Sequence, residues 1–232
     1  MRRRFAPFFL ALLILWQGIA LAAPPAPEVD AEAAILIVAN TRRTLYAINP
    51  DAIMYPASTT KIMTLLIALE KGNPDSLVTI SRTAAACEGS SLELEPGDRL
   101  SLRDLLYGMM LVSGNDAAEA VAEHIAGSVS AFVDLMNDRA DKMGLVNTHF
   151  ANPHGLPDPC NHYSSARDLA YITVLALKNP EFAKIVATRE YIVAFKNRPP
   201  RRVVNTDKLL RFYPGANGVK TGYTEAAGDC LV

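Results

Sequence analysis

The chain has 232 residues, of which 50% are apolar and 20% charged, a balance that suits one globular domain with a substantial core. Its 23 basic and 24 acidic residues leave a net charge of -1, which gives no reason to expect a nucleic-acid partner. Three cysteines, Cys87, Cys160 and Cys230, allow at most one internal bridge and are too few for a disulfide scaffold. Any pairing among them stays open at this point.

The first residues have the three parts of a secretory signal peptide. Met1–Arg4 is basic, Phe8–Leu21 is apolar, and Ala20-Leu21-Ala22 offers a small-x-small cleavage site. An uncleaved membrane anchor is the weaker alternative, because the apolar run is shorter than the roughly 18–20 residues that span a bilayer. We predict a signal peptide over 1–22 and an exported mature domain from residue 23, in the periplasm or at the outer face of the cytoplasmic membrane.

The next part of the chain predicts a hairpin followed by helices. Two β-rich runs, 33–39 and 44–48, flank an Asn-Thr-Arg turn and predict the hairpin. An apolar run over 61–70, closed by Gly72, predicts a helix that opens at Ser58. Further helical patterns begin at Ser101, which has capping-box spacing to Asp104, and cover 117–125, 130–143 and 165–177, the last stopping before Pro180.

Strand patterns return near the end of the chain. Tyr191–Phe195 and Arg202–Val204 are rich in β-branched and aromatic residues, and Gly218–Thr224 also predicts a strand. Strands, then helices, then strands predict an α+β domain. We expect one mixed sheet built from both ends of the chain, with a helical block between them.

Three short motifs point to chemistry. They are Ser58-Thr-Thr-Lys61, Ser113-Gly-Asn115 and Lys220-Thr-Gly222, in that order. The set is typical of enzymes that acylate a serine with peptide or β-lactam carbonyls. A lone Ser-x-x-Lys arises roughly once by chance in a chain of this size, but Lys-Thr-Gly arises in only about one chain in twenty. The alternative, a simple helix N-cap at Ser58 and loop chemistry elsewhere, leaves their order to coincidence.

Ser58 and Lys61 are the predicted nucleophile and base. A serine hydroxyl is a weak nucleophile until a neighbouring base takes its proton. Lys61 lies three residues later, on the same helical face, and must be neutral to act. Burial and a nearby cation, for which Lys220 is the candidate, both lower a lysine pKa. The alternative, a solvated helix lysine, fits poorly with a position just inside an apolar helix.

These motifs and their surroundings resemble the D-alanyl-D-alanine carboxypeptidase family, the low-molecular-mass penicillin-binding proteins. The resemblance is close at 55–64, 111–117, 152–156, 163–169 and 218–224, and it spans essentially all of 23–232. It implies a β-lactamase/D,D-peptidase-like fold, in which an antiparallel sheet is flanked by helices and the site lies beside a mostly helical subdomain. Family members normally continue beyond residue 232, so we expect the catalytic domain over 23–232 to lack C-terminal strands and a helix.

The resemblance also implies roles around the third motif. The backbone N–H groups of Ser58 and Tyr223 would form the oxyanion hole, where fixed donors stabilise the tetrahedral intermediate. Gly222 would let the substrate approach the strand closely. Lys220 and Thr221 would bind the terminal carboxylate of the substrate as a cation and a hydroxyl donor.

The resemblance implies that the second motif transfers a proton and orients the base and the substrate. Ser113 would relay a proton to the leaving amine, assisted by Lys61 or Lys220. Asn115 would orient Lys61 and the substrate amide. The alternative is an ordinary turn between two helices, because Ser-Gly-Asn is common turn composition.

Four residues close together raise the question of a metal. His149, His154, Cys160 and His162 match no standard zinc spacing, so we interpret the segment as a loop that flanks the site. The chain has neither a phosphate-cradling glycine-rich motif nor a dinucleotide fingerprint. We therefore predict no metal and no cofactor.

The expected activity is removal of the terminal D-alanine from peptidoglycan stem peptides ending in D-Ala-D-Ala, with β-lactams as acylating inhibitors. Cleavage of cross-links, an endopeptidase activity, is a close variant. A β-lactamase is the alternative enzyme, but Glu181 and Glu190 lack the Glu-x-x-Leu-Asn context of such enzymes. A non-catalytic wall-binding homologue is the third possibility, if missing strands disable the site. Attachment to a membrane surface is expected only through a natural C-terminal tail.

Overall fold

The computed structural model describes residues 26–232, so the predicted signal peptide over 1–22 lies outside the described residues. Residues 31–232 form one compact unit. Its elements in chain order are β1 (Ala34–Ile37), β2 (Thr44–Ile48), a 3-10 turn (Ala57–Thr60), α1 (Lys61–Lys71), β3 (Leu77–Thr79), α2 (Arg82–Ala85), β4 (Arg99–Ser101), α3 (Leu102–Leu111), α4 (Asn115–Ala126), α5 (Val129–Lys142), α6 (Ala166–Ala176), α7 (Pro180–Ala187), β5 (Glu190–Val193), β6 (Arg201–Val204), α8 (Leu209–Phe212), β7 (Thr221–Thr224) and β8 (Gly228–Leu231). Over 26–232, no helix has the length and apolar character that crossing a bilayer requires.

The strands form four two-stranded antiparallel sheets, β1–β2, β3–β4, β5–β6 and β7–β8. The hairpin of β1 and β2 is confirmed, with Ala34 opposite Ile48 and a register shift at Leu36 and Ile37. The expected single mixed sheet is wrong, because within 26–232 strands from the two chain ends do not pair. A strand pattern gives length and the buried face but not the pairing partner, and each strand here pairs with its neighbour in chain order.

Helix α1 lies at the centre of the core. Every residue from Lys61 to Ala68 is buried, and α1 contacts α3, α4, α5, α6 and α7. A helix that is covered on all sides belongs in the interior. The apolar side of α3 is buried, at Leu102, Leu105, Leu106, Met109 and Met110. The central position of α1 takes Lys61 out of water.

Capping side chains set several helix starts. The Ser101 hydroxyl accepts a hydrogen bond from the Asp104 N–H and donates one to its carboxylate, which confirms that α3 starts at a Ser101 N-cap. The Ser165 hydroxyl likewise accepts from the Asp168 N–H at the start of α6. Helix α7 was not predicted, because Pro180 suggested only a stop. Pro180 is in fact the first residue of α7, and the Asn179 side chain caps it.

Candidate active site

The nucleophile candidate sits on a tight turn. The 3-10 turn over Ala57–Thr60 leads directly into α1, and Thr59 bonds back to the Pro56 carbonyl through both its N–H and its hydroxyl. Ala57, Thr59 and Thr60 are buried, whereas Ser58 is only partly buried. The turn therefore presents the Ser58 hydroxyl at the surface of a rigid segment.

Lys61 is 0% exposed and makes three hydrogen bonds. Its Nζ donates to Ser58 Oγ at 2.9 Å, to Asn115 Oδ1 at 2.7 Å and to the His154 carbonyl at 2.7 Å. None of these acceptors carries a charge, so no direct partner holds the proton on the amine. Burial first, and the Lys220 cation second, lower the pKa of Lys61 well below its ordinary value. The neutral amine keeps two N–H donors for Asn115 Oδ1 and the His154 carbonyl, and its lone pair then accepts the Ser58 proton.

The second motif lies between α3 and α4 with its side chains turned inward. Ser113 adopts a left-handed backbone (φ 62°) and is buried. Asn115, the first residue of α4, donates its Nδ2 to the Glu88 carbonyl at 2.7 Å while its Oδ1 accepts from Lys61. The ordinary-turn alternative gives no reason for these buried contacts. Asn115 thus fixes the Lys61 amine relative to the loop that contains Glu88.

Lys220 is 2% exposed and lies next to Ser113. Its Nζ donates to Ser113 Oγ at 3.1 Å and to the Thr221 carbonyl at 2.7 Å. Burial lowers the pKa of Lys220 to about 7, and the negative charge of Asp207 acts in the opposite direction. The Lys220 ammonium group is therefore poised between charged and neutral forms near neutral pH.

Strand β7 turns one row of N–H groups away from its partner. Lys220 and Val232 exchange both backbone hydrogen bonds, at 3.0 Å each, and Tyr223 lies opposite Asp229 in the ladder. Because pairing alternates along an antiparallel ladder, the N–H groups of Thr221 and Tyr223 point away from β8. A Cβ on Gly222 would lie 2.9 Å from the Ser58 nitrogen, so glycine permits this close approach.

Sequence reasoning missed several groups that complete the site. The backbone carbonyls of His154 and Glu88 accept hydrogen bonds from Lys61 and Asn115. Every residue type has such a carbonyl, so the sequence contains no pattern that predicts these two contacts. Gly155 has a φ of 95°, and a Cβ there would lie 1.8 Å from the Ala57 oxygen. In the sequence, only the family resemblance distinguishes the Asn-Pro-His-Gly-Leu segment over 152–156.

Asp116 is a further residue that sequence reasoning passed over. Its carboxylate is fully buried and accepts from the Ser91 hydroxyl at 2.6 Å and from the N–H groups of Leu92 and Leu94 at 2.9 and 3.0 Å. These bonds tie the loop after α2 to the start of α4. Asp116 therefore supports the segment that positions Asn115.

The four residues of the flanking loop are dispersed. Both ring nitrogens of His162 are occupied, by the Thr60 hydroxyl at 2.8 Å and the Ala151 N–H at 3.0 Å. Burial lowers the pKa of His162 to about 4, so this ring is neutral. Cys160 is exposed, and His149 contacts the Asn161 carbonyl. All three cysteines, Cys160 included, are free thiols.

The geometry brings Ser58, Lys61, Ser113, Asn115 and Lys220 into one hydrogen-bonded set beside β7. A serine with a buried amine at hydrogen-bond distance, next to fixed N–H donors, is the arrangement of an acyl-transfer enzyme with a serine nucleophile.

The chain belongs to the D-alanyl-D-alanine carboxypeptidase family, whose model matches residues 20–232. It is 42% identical over 207 residues to D-alanyl-D-alanine carboxypeptidase DacF of Bacillus subtilis, covering 87% of this chain and 53% of the relative. It is 39% identical over 221 residues to DacA of Escherichia coli K12, covering 90% of this chain and 54% of the relative. The chain thus spans about half the length of these curated relatives.

Solved structures confirm the fold class. The Streptomyces K15 DD-transpeptidase superposes with a TM-score of 0.85 at 37% identity, covering 90% of this chain and 86% of that one. A D-alanyl-D-alanine carboxypeptidase from Mycobacterium tuberculosis H37Rv gives a TM-score of 0.85 at 35% identity, covering 90% and 79%. The predicted family and the predicted α+β class are both confirmed.

Proposed function

We propose that residues 23–232 form the catalytic domain of a serine-type D-alanyl-D-alanine carboxypeptidase that works outside the cytoplasm on peptidoglycan. The observation that supports this most directly is the 2.9 Å contact between Lys61 Nζ and Ser58 Oγ, made by an amine whose other acceptors are neutral. A buried lysine whose direct hydrogen-bond partners are all neutral is suited to be a base rather than a structural cation.

In the acylation step, Lys61 takes the proton of Ser58 as the oxygen attacks the carbonyl carbon of the penultimate D-alanine. The N–H groups of Ser58 and Tyr223 stabilise the oxyanion that forms. Ser113, in contact with Lys220, passes its proton to the leaving nitrogen and recovers one from Lys61, so that Lys61 is neutral again when the C–N bond breaks and D-alanine departs. The stem peptide remains as an ester on Ser58.

Substrate placement follows from the edge of β7 that faces away from β8. An extended peptide adds alongside the strand through the outward N–H groups of Thr221 and Tyr223, as in other cases of strand addition. The terminal carboxylate binds Lys220 and the hydroxyl of Thr221, which also contacts the Thr206 hydroxyl at 2.8 Å. Asn115, which already holds Lys61, orients the substrate amide.

Deacylation returns the enzyme to its starting state. A water molecule attacks the ester carbon, neutral Lys61 accepts the water proton, and Lys61 then returns a proton to the Ser58 oxygen as the ester bond breaks. β-Lactams acylate the same serine, and we expect their adducts to turn over slowly because the chain lacks a Glu-x-x-Leu-Asn deacylation motif. The intact hydrogen-bonded set gives no support to a purely non-catalytic wall-binding role.

The test is D-alanine release from a peptide ending in D-Ala-D-Ala by the purified protein and by a Ser58→Ala variant. The same peptide ending in D-Ala-L-Ala serves as the substrate control. We expect release from the first peptide only, and only by the wild-type protein. Release by the folded Ser58→Ala variant, or none by folded wild-type protein, would contradict the proposal.

A further inference from the structure

A second group of side chains lies beside Lys61 and has no part in the mechanism above. Cys87 follows α2, Glu119 lies in α4 and His154 lies in the 152–156 segment. Their ligand atoms, a thiol, a carboxylate oxygen and a ring nitrogen, all lie within 4.8 Å of one another. His154 Nε2 is 3.5 Å from Glu119 Oε1, and His154 is 6% exposed.

We propose that Cys87, Glu119 and His154 bind a divalent cation of the Zn²⁺ type, and that the bound ion inhibits the enzyme. Three protein ligands with a fourth position open are the usual set for an accessible zinc ion. Tetrahedral geometry at ordinary Zn²⁺ bond lengths puts ligand atoms about 3.4–3.7 Å apart, so a small closure of the cluster completes the site.

The donor chemistry selects the class of metal. A thiolate and an imidazole favour Zn²⁺ or Co²⁺ over Mg²⁺ and Ca²⁺, which prefer oxygen ligands. Metal binding forms the metal–sulfur bond and releases the thiol proton to solvent.

The link to Lys61 runs through the His154 ring and backbone. In the free protein, His154 Nδ1 accepts from the Leu156 N–H at 3.2 Å, which leaves the ring proton on Nε2, facing Glu119. A metal bound to Nε2 requires the ring proton to be on Nδ1. The Nδ1–H and the Leu156 N–H would then be two donors facing each other, and their hydrogen bond would be lost. The 154–156 segment must then shift, and this segment supplies the carbonyl that accepts from Lys61 at 2.7 Å.

The inhibitory part of this inference rests on the proposed function, whereas metal binding does not. No sequence pattern indicates the site, because its donors come from three separate segments rather than from one spaced motif. Metal binding and the Lys61 hydrogen bond to the His154 carbonyl both depend on the 154–156 segment, so their coupling is reciprocal. If the metal weakens this hydrogen bond, then the intact hydrogen bond weakens metal binding by the same factor.

The experiment uses metal-free protein titrated with Co²⁺ and Zn²⁺, together with the rate of penicillin acylation at each Zn²⁺ concentration. Co²⁺ reports directly on Cys87, because a cobalt–thiolate bond gives a near-ultraviolet charge-transfer absorption. The matched variants are Cys87→Ser and Cys160→Ser, the latter removing an exposed thiol outside the cluster. Glu119→Gln is a second variant that keeps the size of the side chain.

We expect the cobalt–thiolate band and Zn²⁺-dependent slowing of acylation in wild type and in Cys160→Ser. Cys87→Ser should lose the band, and both Cys87→Ser and Glu119→Gln should bind Zn²⁺ at least about tenfold more weakly. Loss of the band in Cys160→Ser, absence of the band in wild type, or binding without slower acylation would overturn the inference. Absence of acylation in metal-free protein would instead refute the proposed function and leave the cobalt result to decide the metal site.

Discussion

Replacing Gly155 by alanine tests whether the 152–156 segment holds the nucleophile in place. Gly155 has a φ of 95°, and an added Cβ would lie 1.8 Å from the Ala57 oxygen and 3.0 Å from the Ser58 nitrogen. The first contact is with backbone, so no side-chain rotation relieves it. The Ala57–Ser58 peptide or the 154–156 segment must move.

The magnitude follows from two costs. A residue with a Cβ loses about 1–2 kcal/mol in the left-handed region, and overpacking of a filled site costs about 1–3 kcal/mol more. Gly144→Ala is the matched control, because Gly144 also has a positive φ (70°) but nothing lies within 4 Å of its Cβ position. We expect a loss of about 2–5 kcal/mol for Gly155→Ala and only the first, smaller cost for Gly144→Ala.

The assays are urea unfolding and the rate of penicillin acylation under conditions where both variants are fully folded. Gly155→Ala should acylate at least about tenfold more slowly, because a misplacement of the nucleophile by an ångström or less is costly. Gly144→Ala should acylate like wild type. Wild-type acylation by Gly155→Ala would refute the account of how the Ser58 turn is supported.

Three further predictions concern Lys61, Lys220 and Asp116. Lys61→Arg should slow acylation by about 10²–10⁴, because a guanidinium group stays protonated and cannot act as a base. The control is Lys71→Arg, at the exposed end of α1. Equal acylation rates in the two variants would contradict the base role of Lys61. Burial lowers the pKa of Lys220 to about 7, so its charge is complete below that pH and is lost above it. The KM for a peptide with a free terminal carboxylate should therefore rise as pH increases through 7, while the KM for its terminal amide stays flat; a flat profile for both would count against carboxylate binding by Lys220. Asp116→Ala should lower the free energy of unfolding, measured in urea, by about 3–5 kcal/mol, because it leaves the buried N–H groups of Leu92 and Leu94 unpaired. The control, Asp134→Ala on the exposed face of α5, should change it by less than about 0.5 kcal/mol. Equal losses in the two aspartate variants would show that the buried carboxylate does not hold the loop.

Much of the site was predictable because its chemistry resides in side chains with fixed spacing. Lys61 follows Ser58 by three residues, and Ser113 and Asn115 lie between the two helices α3 and α4, so the spacing of the motifs alone predicts that these side chains lie close together. The acceptors supplied by His154 and Glu88 were not predictable, since they are carbonyl groups brought in by loop conformation. The Cys87 cluster escaped for the same reason, as only folding joins its three elements.

In the fold, too, some elements were predictable from the sequence and others were not. Long periodic segments such as α1 and α3 were predicted, because burial imposes a pattern over many residues. The three-residue strands β3 and β4 are too short to show one. Helix α7 was missed because Pro180 serves equally to stop one helix and to start another, and only the cap at Asn179 distinguishes these cases.

The central claim is that Lys61 activates Ser58 as a nucleophile. The most direct test is the intact mass of the protein after exposure to a fluorescent penicillin, compared with a Ser58→Ala variant of equal stability. The account predicts a single adduct of one penicillin on the wild-type protein, located on Ser58 by peptide mapping, and none on the variant. An adduct that persists in Ser58→Ala, or a folded wild-type protein that forms none, would contradict it.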